Sequence, residues 1–256
     1  MNERPTDAPD YSIVVPAYNE EELLPRTLAS LRDAMAGTSL AGEIVVVDNN
    51  STDATAERAR AEGARVVFEA VNHIARARNA GARAARGRLL VFVDADTLVP
   101  AVVLDDALGA LASEGTVGGG CVVSIDFGRH RAARALLRLW NRVSVRGRLA
   151  AGSFLFCRAD AFADVGGFPE SVYASEELWL SRALKRWGRR RGLGFVVLDH
   201  TPVRSSGRKA DWYDAPTLVA TLLLLLLLPF LVRSKRFCWL WYRRPPARRD
   251  AGVPLL

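Results

Sequence analysis

A chain of 256 residues, half of them hydrophobic and a quarter charged, can bury a full core and is neither a disordered nor a low-complexity segment. Three cysteines with no CxxC pair argue against a disulfide framework or a thiolate zinc site and fit a reducing compartment. The net charge of +7 is concentrated in a tail: seven basic residues lie between Arg233 and Leu256 against Asp250 alone, so the body is near neutral and no nucleic-acid partner is indicated.

The polar, acidic start MNERPTDAPDYS has no apolar core, so no secretory signal is expected in it. Residues 12–15 (SIVV) predict a strand stopped by Pro16. Residues 17–22 (AYNEEE) then read as the acidic first turn of a helix whose leucines recur at helical spacing up to Gly37. A second strand, 44–47, runs into DNNSTDAT, where Ser51, Thr52 or Asp53 can cap a helix ending near Gly63. Strand 65–68, an Ala/Arg-rich helix over 74–86 stopped by Gly87, and strand 89–93 follow. Strands alternating with helices over short connections predict a parallel sheet with right-handed crossovers.

A further helix is expected from Pro100 to Ser113, and strands over 119–125, 153–157 and 195–198. Helices are expected over 131–143, 159–165 and 176–187. The expected fold is α/β: a Rossmann-like half (about 11–97) joined without a linker to a mixed half (about 98–210), with a mostly parallel central sheet flanked by helices. Residues 211–256 read as a C-terminal helical appendage, apolar and then basic.

Residues 89–97 (LLVFVDADT) carry the strongest chemical signal. An apolar strand ends in Asp94, Ala95 and Asp96, and open α/β sheets bind ligands at the carboxyl ends of their strands. Two neighbouring carboxylates repel, and Mg²⁺ or Mn²⁺, which bind through one or two carboxylates plus phosphate and water, would compensate. A strand end beside the helix start at Thr97 and Pro100 explains the same residues, so the pair alone leaves both readings open. The chain lacks GxGxxG after its first strand and lacks GxxxxGK[ST]. It instead places Glu20 and Glu21, Asp48, and Asp94 with Asp96 after three different strands, which favours a nucleotide held by its hydroxyls and a metal.

In chain order, the segments VVPAYNEE (14–21), VVVDNNSTDAT (45–55), ARNAGARAARG (77–87), FVDADT (92–97), AGSFLFC (151–157), GGFP (166–169) and SEELWLSRALKRWG (175–188) stand at sensible spacing. Together they resemble the family 2 glycosyltransferases, which have the GT-A fold and invert the anomeric centre. The resemblance covers about residues 11–200. It implies a nucleotide-sugar donor and a hydroxyl acceptor, in some members lipid-linked. Donor contacts are then expected from Pro16, Ala17, Tyr18, Asn19, Glu20, Asp48, Arg78, Asn79, Asp94, Ala95 and Asp96. Asp96 is the implied metal ligand, with Asp94 beside it.

The family's catalytic base is the Asp of an acid–Asp pair at the start of a late helix. Here that pair is Glu176-Glu177, so Glu177 is the expected base and Glu176 the second candidate; both acids also suit a helix N-terminus electrostatically. His200 is a candidate third metal ligand, although a lone His is more often a hydrogen-bonded loop residue. Gly152 and Ser153 are expected near the acceptor, Arg208 and Lys209 near the diphosphate. Gly118, Gly119 and Gly120 predict close backbone approach near donor or acceptor. Polymerising members carry Gln-x-x-Arg-Trp, and this chain has no glutamine, which points to transfer of a single sugar. Two other readings are a sugar nucleotidyltransferase, whose Gly-rich opening loop is missing here, and a non-catalytic nucleotide- or membrane-binding relative.

The run Ala215–Val232 holds 18 uncharged residues, the minimum for a membrane span. The cations after it would place the tail in the cytoplasm and export the catalytic body, away from nucleotide sugars. A cytoplasmic protein with peripheral contact at the inner membrane face is therefore expected, the aromatics and arginines of 237–246 suiting the headgroup zone. Packing of this segment on the domain is the competing expectation.

Overall fold

The computed structural model describes residues 8–113, 115–127, 131–208, 224 and 228–242. Eight strands form one sheet in the order β3-β2-β1-β4-β7-β6-β8-β5. They are β1 (Tyr11–Ala17), β2 (Gly42–Asp48), β3 (Arg65–Phe68), β4 (Leu89–Val93), β5 (Thr97–Leu98), β6 (Thr116–Ile125), β7 (Phe154–Arg158) and β8 (Gly194–Ser205). The first four are mutually parallel, β7 runs antiparallel to β4 and β6, and β6 and β8 are parallel. The helices are α1 (Leu24–Ala36), α2 (Thr55–Ala61), α3 (Ile74–Ala84), α4 (Ala101–Ala112), α5 (Arg131–Gly147), α6 (Ala159–Asp164), α7 (Glu176–Arg189) and the single turn α8 (Trp239–Tyr242).

The sheet is buried on both faces, which is why its central strands are apolar runs without alternation. Successive side chains still go to opposite faces. Leu89, Val91 and Val93 of β4 join a core with leucines of α1 and α4. Leu90 and Phe92 join a second core with alanines of α3, Phe162 of α6, and Leu180 and Leu184 of α7. Small residues let α3 lie close on the sheet. The continuation of β4 on that second face points towards α3 and α7.

The departures from expectation have local causes. Pro16 does not stop β1: it pairs with Val47, beyond the last β1–β4 pair at Val14↔Phe92, where one flank of the strand has no partner and a missing N–H is tolerated. The acids at 20–22 precede α1, because the Glu20 and Glu21 N–H groups donate to Thr55 Oγ1 and Asp53 Oδ2 and hold that turn open. The two-residue strand β5 pairs with the far end of β8, a long-range contact that no local pattern announces. β8 continues past Leu198 because a register shift opposite Cys121–Val123 absorbs the polar Asp199–Pro202 before pairing resumes at Val203. Gly118–Gly120 do mark close approach, but to Phe156, Cys157, Val196 and Ala150 within the sheet rather than to donor or acceptor.

Candidate active site

Arg78 gathers one side of the site. It lies on the sheet-facing side of α3 with 2% of its surface exposed. Its Nη1 donates to Glu176 Oε1, and its Nη2 donates to Asp94 Oδ1 at 2.7 Å and to the Gly152 carbonyl at 2.9 Å. The Phe168 ring covers the guanidinium at 5.2 Å. Burial alone would lower the Arg78 pKa, but the charges of Asp94, Glu176 and Glu177 outweigh it and drive the pKa further up, so the cation is permanent.

Glu177 is half-buried at the start of α7, its carboxyl carbon 3.7 Å from the point where a Gly152 side chain would begin. Burial first and the Glu176 charge second push its pKa up to about 8, against the opposing pull of Arg78. Ser175, directly before the pair, sits at φ 62°, a left-handed conformation that costs a non-glycine residue energy and turns the chain sharply into α7.

Asp96 belongs to a second group. Its Oδ2 accepts from Ser206 Oγ at 2.5 Å and from Arg208 Nη2 at 3.3 Å, while its Oδ1 faces Ser205 Oγ at 3.5 Å. The same Arg208 Nη2 donates to Glu20 Oε1 at 2.9 Å, so one guanidinium bridges acids from the ends of β1 and β4. These contacts raise the Arg208 pKa although burial works against it. Ala95, between the two aspartates, is buried, and its carbonyl accepts from Thr27 Oγ1 of α1 at 2.8 Å, which fixes the turn that sends Asp94 and Asp96 apart.

The third group is built from β1 and β2. Pro16 and Ala17 are buried at the end of β1, and Tyr18 is half-buried after them. Asn19, at φ 52°, accepts from Thr52 N through Oδ1 and donates through its own N–H to Ser51 Oγ at 3.0 Å. Asp48 Oδ1 accepts from Ser51 N at 3.0 Å. Residues expected to cap α2 thus stitch two strand-end loops together.

Several expectations change. Asn79 faces the loop after α6, not the donor side: its amide donates to the Phe168 carbonyl and Glu170 Oε1, and its Oδ1 accepts from Phe168 N, each bond 2.9–3.0 Å. Gly167 permits this clamp, since it holds φ +72° and a Cβ there would meet Asn79 Oδ1 at 2.7 Å. His200 does not join Asp94 and Asp96; its Nε2 pairs with Asp106 of α4 at 2.8 Å. Gly152 and Ser153 contribute carbonyls, to Arg78 and to Asp94 N, rather than side chains. Lys209 lies outside the described residues. Ser206, which the sequence places with Arg208 as a candidate for the diphosphate, does lie beside Asp96; sequence reasoning missed Ser205, and it missed Asn49, whose amide ties Glu69 and Val71 carbonyls and the His73 N–H. A buried Asn between an apolar strand and a loop was the available signal.

Among the described residues no three His, Cys, Asp or Glu side chains converge as a metal group. The donor set at Asp96, one carboxylate with two serine hydroxyls beside it, fits a hard cation that draws the rest of its shell from phosphate and water.

A sheet whose parallel strands end in acids, crossed by an antiparallel strand from the second half, defines the fold of GT-A glycosyltransferases. The chain belongs to glycosyl transferase family 2, whose model matches residues 12–161. Its relatives include a glycosyltransferase, AglE, of Haloferax volcanii, 28% identical over 68% of this chain and 61% of that one. A validoxylamine A glucosyltransferase of Streptomyces hygroscopicus is 37% identical over 41% of this chain and 24% of its own. The chain therefore spans less than two thirds of the length of these relatives. Among solved structures, a mannosyltransferase of Pyrobaculum calidifontis in complex with GDP-Man and Mn²⁺ superposes with a TM-score of 0.65 at 22% identity, over 90% of this chain and 65% of that one. A glucosyl-3-phosphoglycerate synthase of Mycobacterium tuberculosis with Mn²⁺, UDP-Glc and phosphoglyceric acid gives 0.60 at 20% identity, over 88% and 79%.

Proposed function

We propose that this glycosyltransferase is metal-dependent and inverting, and that it moves one sugar from a nucleotide-sugar donor to an acceptor hydroxyl. The observation that carries the reading is Glu177. It is a carboxylate whose proton affinity is raised towards neutrality, beside a buried arginine that also holds the strand-end Asp94. A base with that affinity takes a hydroxyl proton effectively near neutral pH.

The roles follow from position. Residues 11–97 hold the nucleotide at the ends of β1, β2 and β4, with Asp48 and Glu20 towards ribose and base. Residues 98–210 present the acceptor. Asp96, with the Ser205 and Ser206 hydroxyls, would hold Mn²⁺ or Mg²⁺, which when bound offsets the charge building on the departing diphosphate. Arg208 turns from the acids to the phosphates. Asp94 faces the sugar, where negative charge favours an oxocarbenium-like transition state. Glu177 deprotonates the acceptor on the face opposite the leaving group, which inverts the anomeric centre.

A lipid-linked acceptor and peripheral contact with the inner membrane face complete the reading. Among the described residues no helix is long and apolar enough to cross a membrane, and most of Ala215–Val232 lies outside them. The exposed Leu228, Phe230 and Phe237, with the cations Arg233 and Arg236 between them, support contact with an anionic lipid surface.

The test is a thermal-shift panel of UDP-, GDP- and dTDP-sugars with and without Mn²⁺. One donor is expected to raise the transition in a metal-dependent way, and Asp96→Ala to lose that dependence. A full metal-dependent shift in Asp96→Ala would overturn the assignment of Asp96.

A further inference from the structure

We infer that the C-terminal segment Pro229–Tyr242 is a positioning element of the active site, with Tyr242 as its fastening residue; the inference rests on Glu177 acting as the base. The segment touches the two elements that carry the Arg78–Glu176 pair, each near its N-terminus. On the α3 side, Tyr242 Oη accepts from Ile74 N at 3.4 Å and Lys235 Nζ donates to the Asn72 carbonyl at 3.2 Å. Ile74 opens α3, one turn before Arg78. On the α7 side, Tyr173 N donates to the Val232 carbonyl at 2.6 Å, and Val232 and Cys238 are buried against Val172 and Ala174. Tyr173 lies two residues before the left-handed Ser175 and three before Glu176.

The aromatic rings join the two sides. Tyr173 packs on His73 at 4.6 Å between ring centroids and edge-on to Tyr242 at 5.7 Å, and Tyr242 meets His73 at 6.4 Å. The cation of Lys235 lies 5.1 Å from the Tyr242 ring. His73 is 3% exposed, its ring buried beneath Tyr173 and Tyr242. Removing the Tyr242 ring opens that packing and frees the start of α3 to shift against the start of α7. The Arg78–Glu176 bond spans that same gap.

This position predicts a specific kinetic defect. Among the described residues, the segment's hydrogen bonds and ring contacts go to the starts of α3 and α7, and the base depends on it through Tyr173 and Ser175. The experiment uses the full chain and measures hydrolysis of UDP-glucose and GDP-mannose with Mn²⁺, alongside hydrogen exchange of the peptide over residues 170–180. Tyr242→Ala is expected to lower kcat at least tenfold, to leave the donor KM within twofold, and to speed exchange over 170–180. Tyr242→Phe, which keeps the ring, is expected to restore kcat to within threefold of wild type. Lys235→Ala, a milder cut on the exposed side, is expected to give an intermediate kcat at unchanged KM, and it decides the matter if Tyr242→Ala does not fold. Unchanged kcat in these variants, or a KM that rises in step with the fall in kcat, would overturn the inference. If the wild-type protein hydrolyses neither of these two, the nucleotide sugar that gives the metal-dependent thermal shift takes their place. The exchange measurement then still decides whether the segment orders the 170–180 loop, and unchanged exchange in Tyr242→Ala refutes it.

Discussion

At the scale of single residues, Glu177 and Arg78 set the behaviour of the site. The raised pKa of Glu177 means that kcat/KM should climb with pH and level off near pH 8, because the base must shed its proton first. Glu177→Gln should lower turnover by 10²-fold or more, on the order of what a lost general base costs, and abolish that limb; near-wild-type turnover would remove Glu177 from the mechanism. The stability effect has the opposite sense. A carboxyl that binds its proton more tightly in the folded state favours folding below its unfolded pKa and loses that contribution as pH rises through the folded value. The sequence showed the acids at 94, 96, 176 and 177. It could not show that Arg78 sorts them, since the bonds from Arg78 to Asp94 and Glu176 cross 16 and 98 residues.

At the scale of elements, the clamp between α3 and the loop after α6 is the contact most open to test. Asn79→Ala removes three hydrogen bonds to Phe168 and Glu170 and leaves buried backbone groups unpaired, which should cost about 2–3 kcal/mol by denaturant melts. The donor-induced thermal shift should persist, because Asn79 supports the loop and does not face the strand-end acids. A lost donor shift at unchanged stability would return Asn79 to the donor site. Most elements were legible from periodicity: β3 and β4 match their predicted bounds, and the helices deviate only at their ends. Failures fell where distant pairing decides, in β5, in the second half of β8 and at Pro16, because local propensity carries no information about a partner strand.

At the scale of the whole molecule, the C-terminal segment gives the chain two faces. Its inner residues Val232 and Cys238 are buried with Leu231 and Tyr242 against them, so the competing expectation of packing on the domain holds for these residues. The outer residues are exposed, Phe230 to 64%, and the proposed bilayer contact would use them. The protein should co-sediment with phosphatidylglycerol vesicles and release in high salt, while phosphatidylcholine vesicles should retain little. Equal binding to both lipids, or to neither, would remove the electrostatic part of this contact.

Arg208 has a bearing on how the protein is handled and how it fills. By bridging Glu20 and Asp96 it supplies an internal counter-ion, so the carboxylates need no bound cation in order to fold. Dialysis against EDTA should leave the melting temperature unchanged, and Mn²⁺ added alone should shift it little; a marked fall in EDTA would mean that a cation is part of the folded structure. If Asp96 holds the proposed cation, ion and donor would bind together, because Arg208 must leave Asp96 before another positive charge can replace it there.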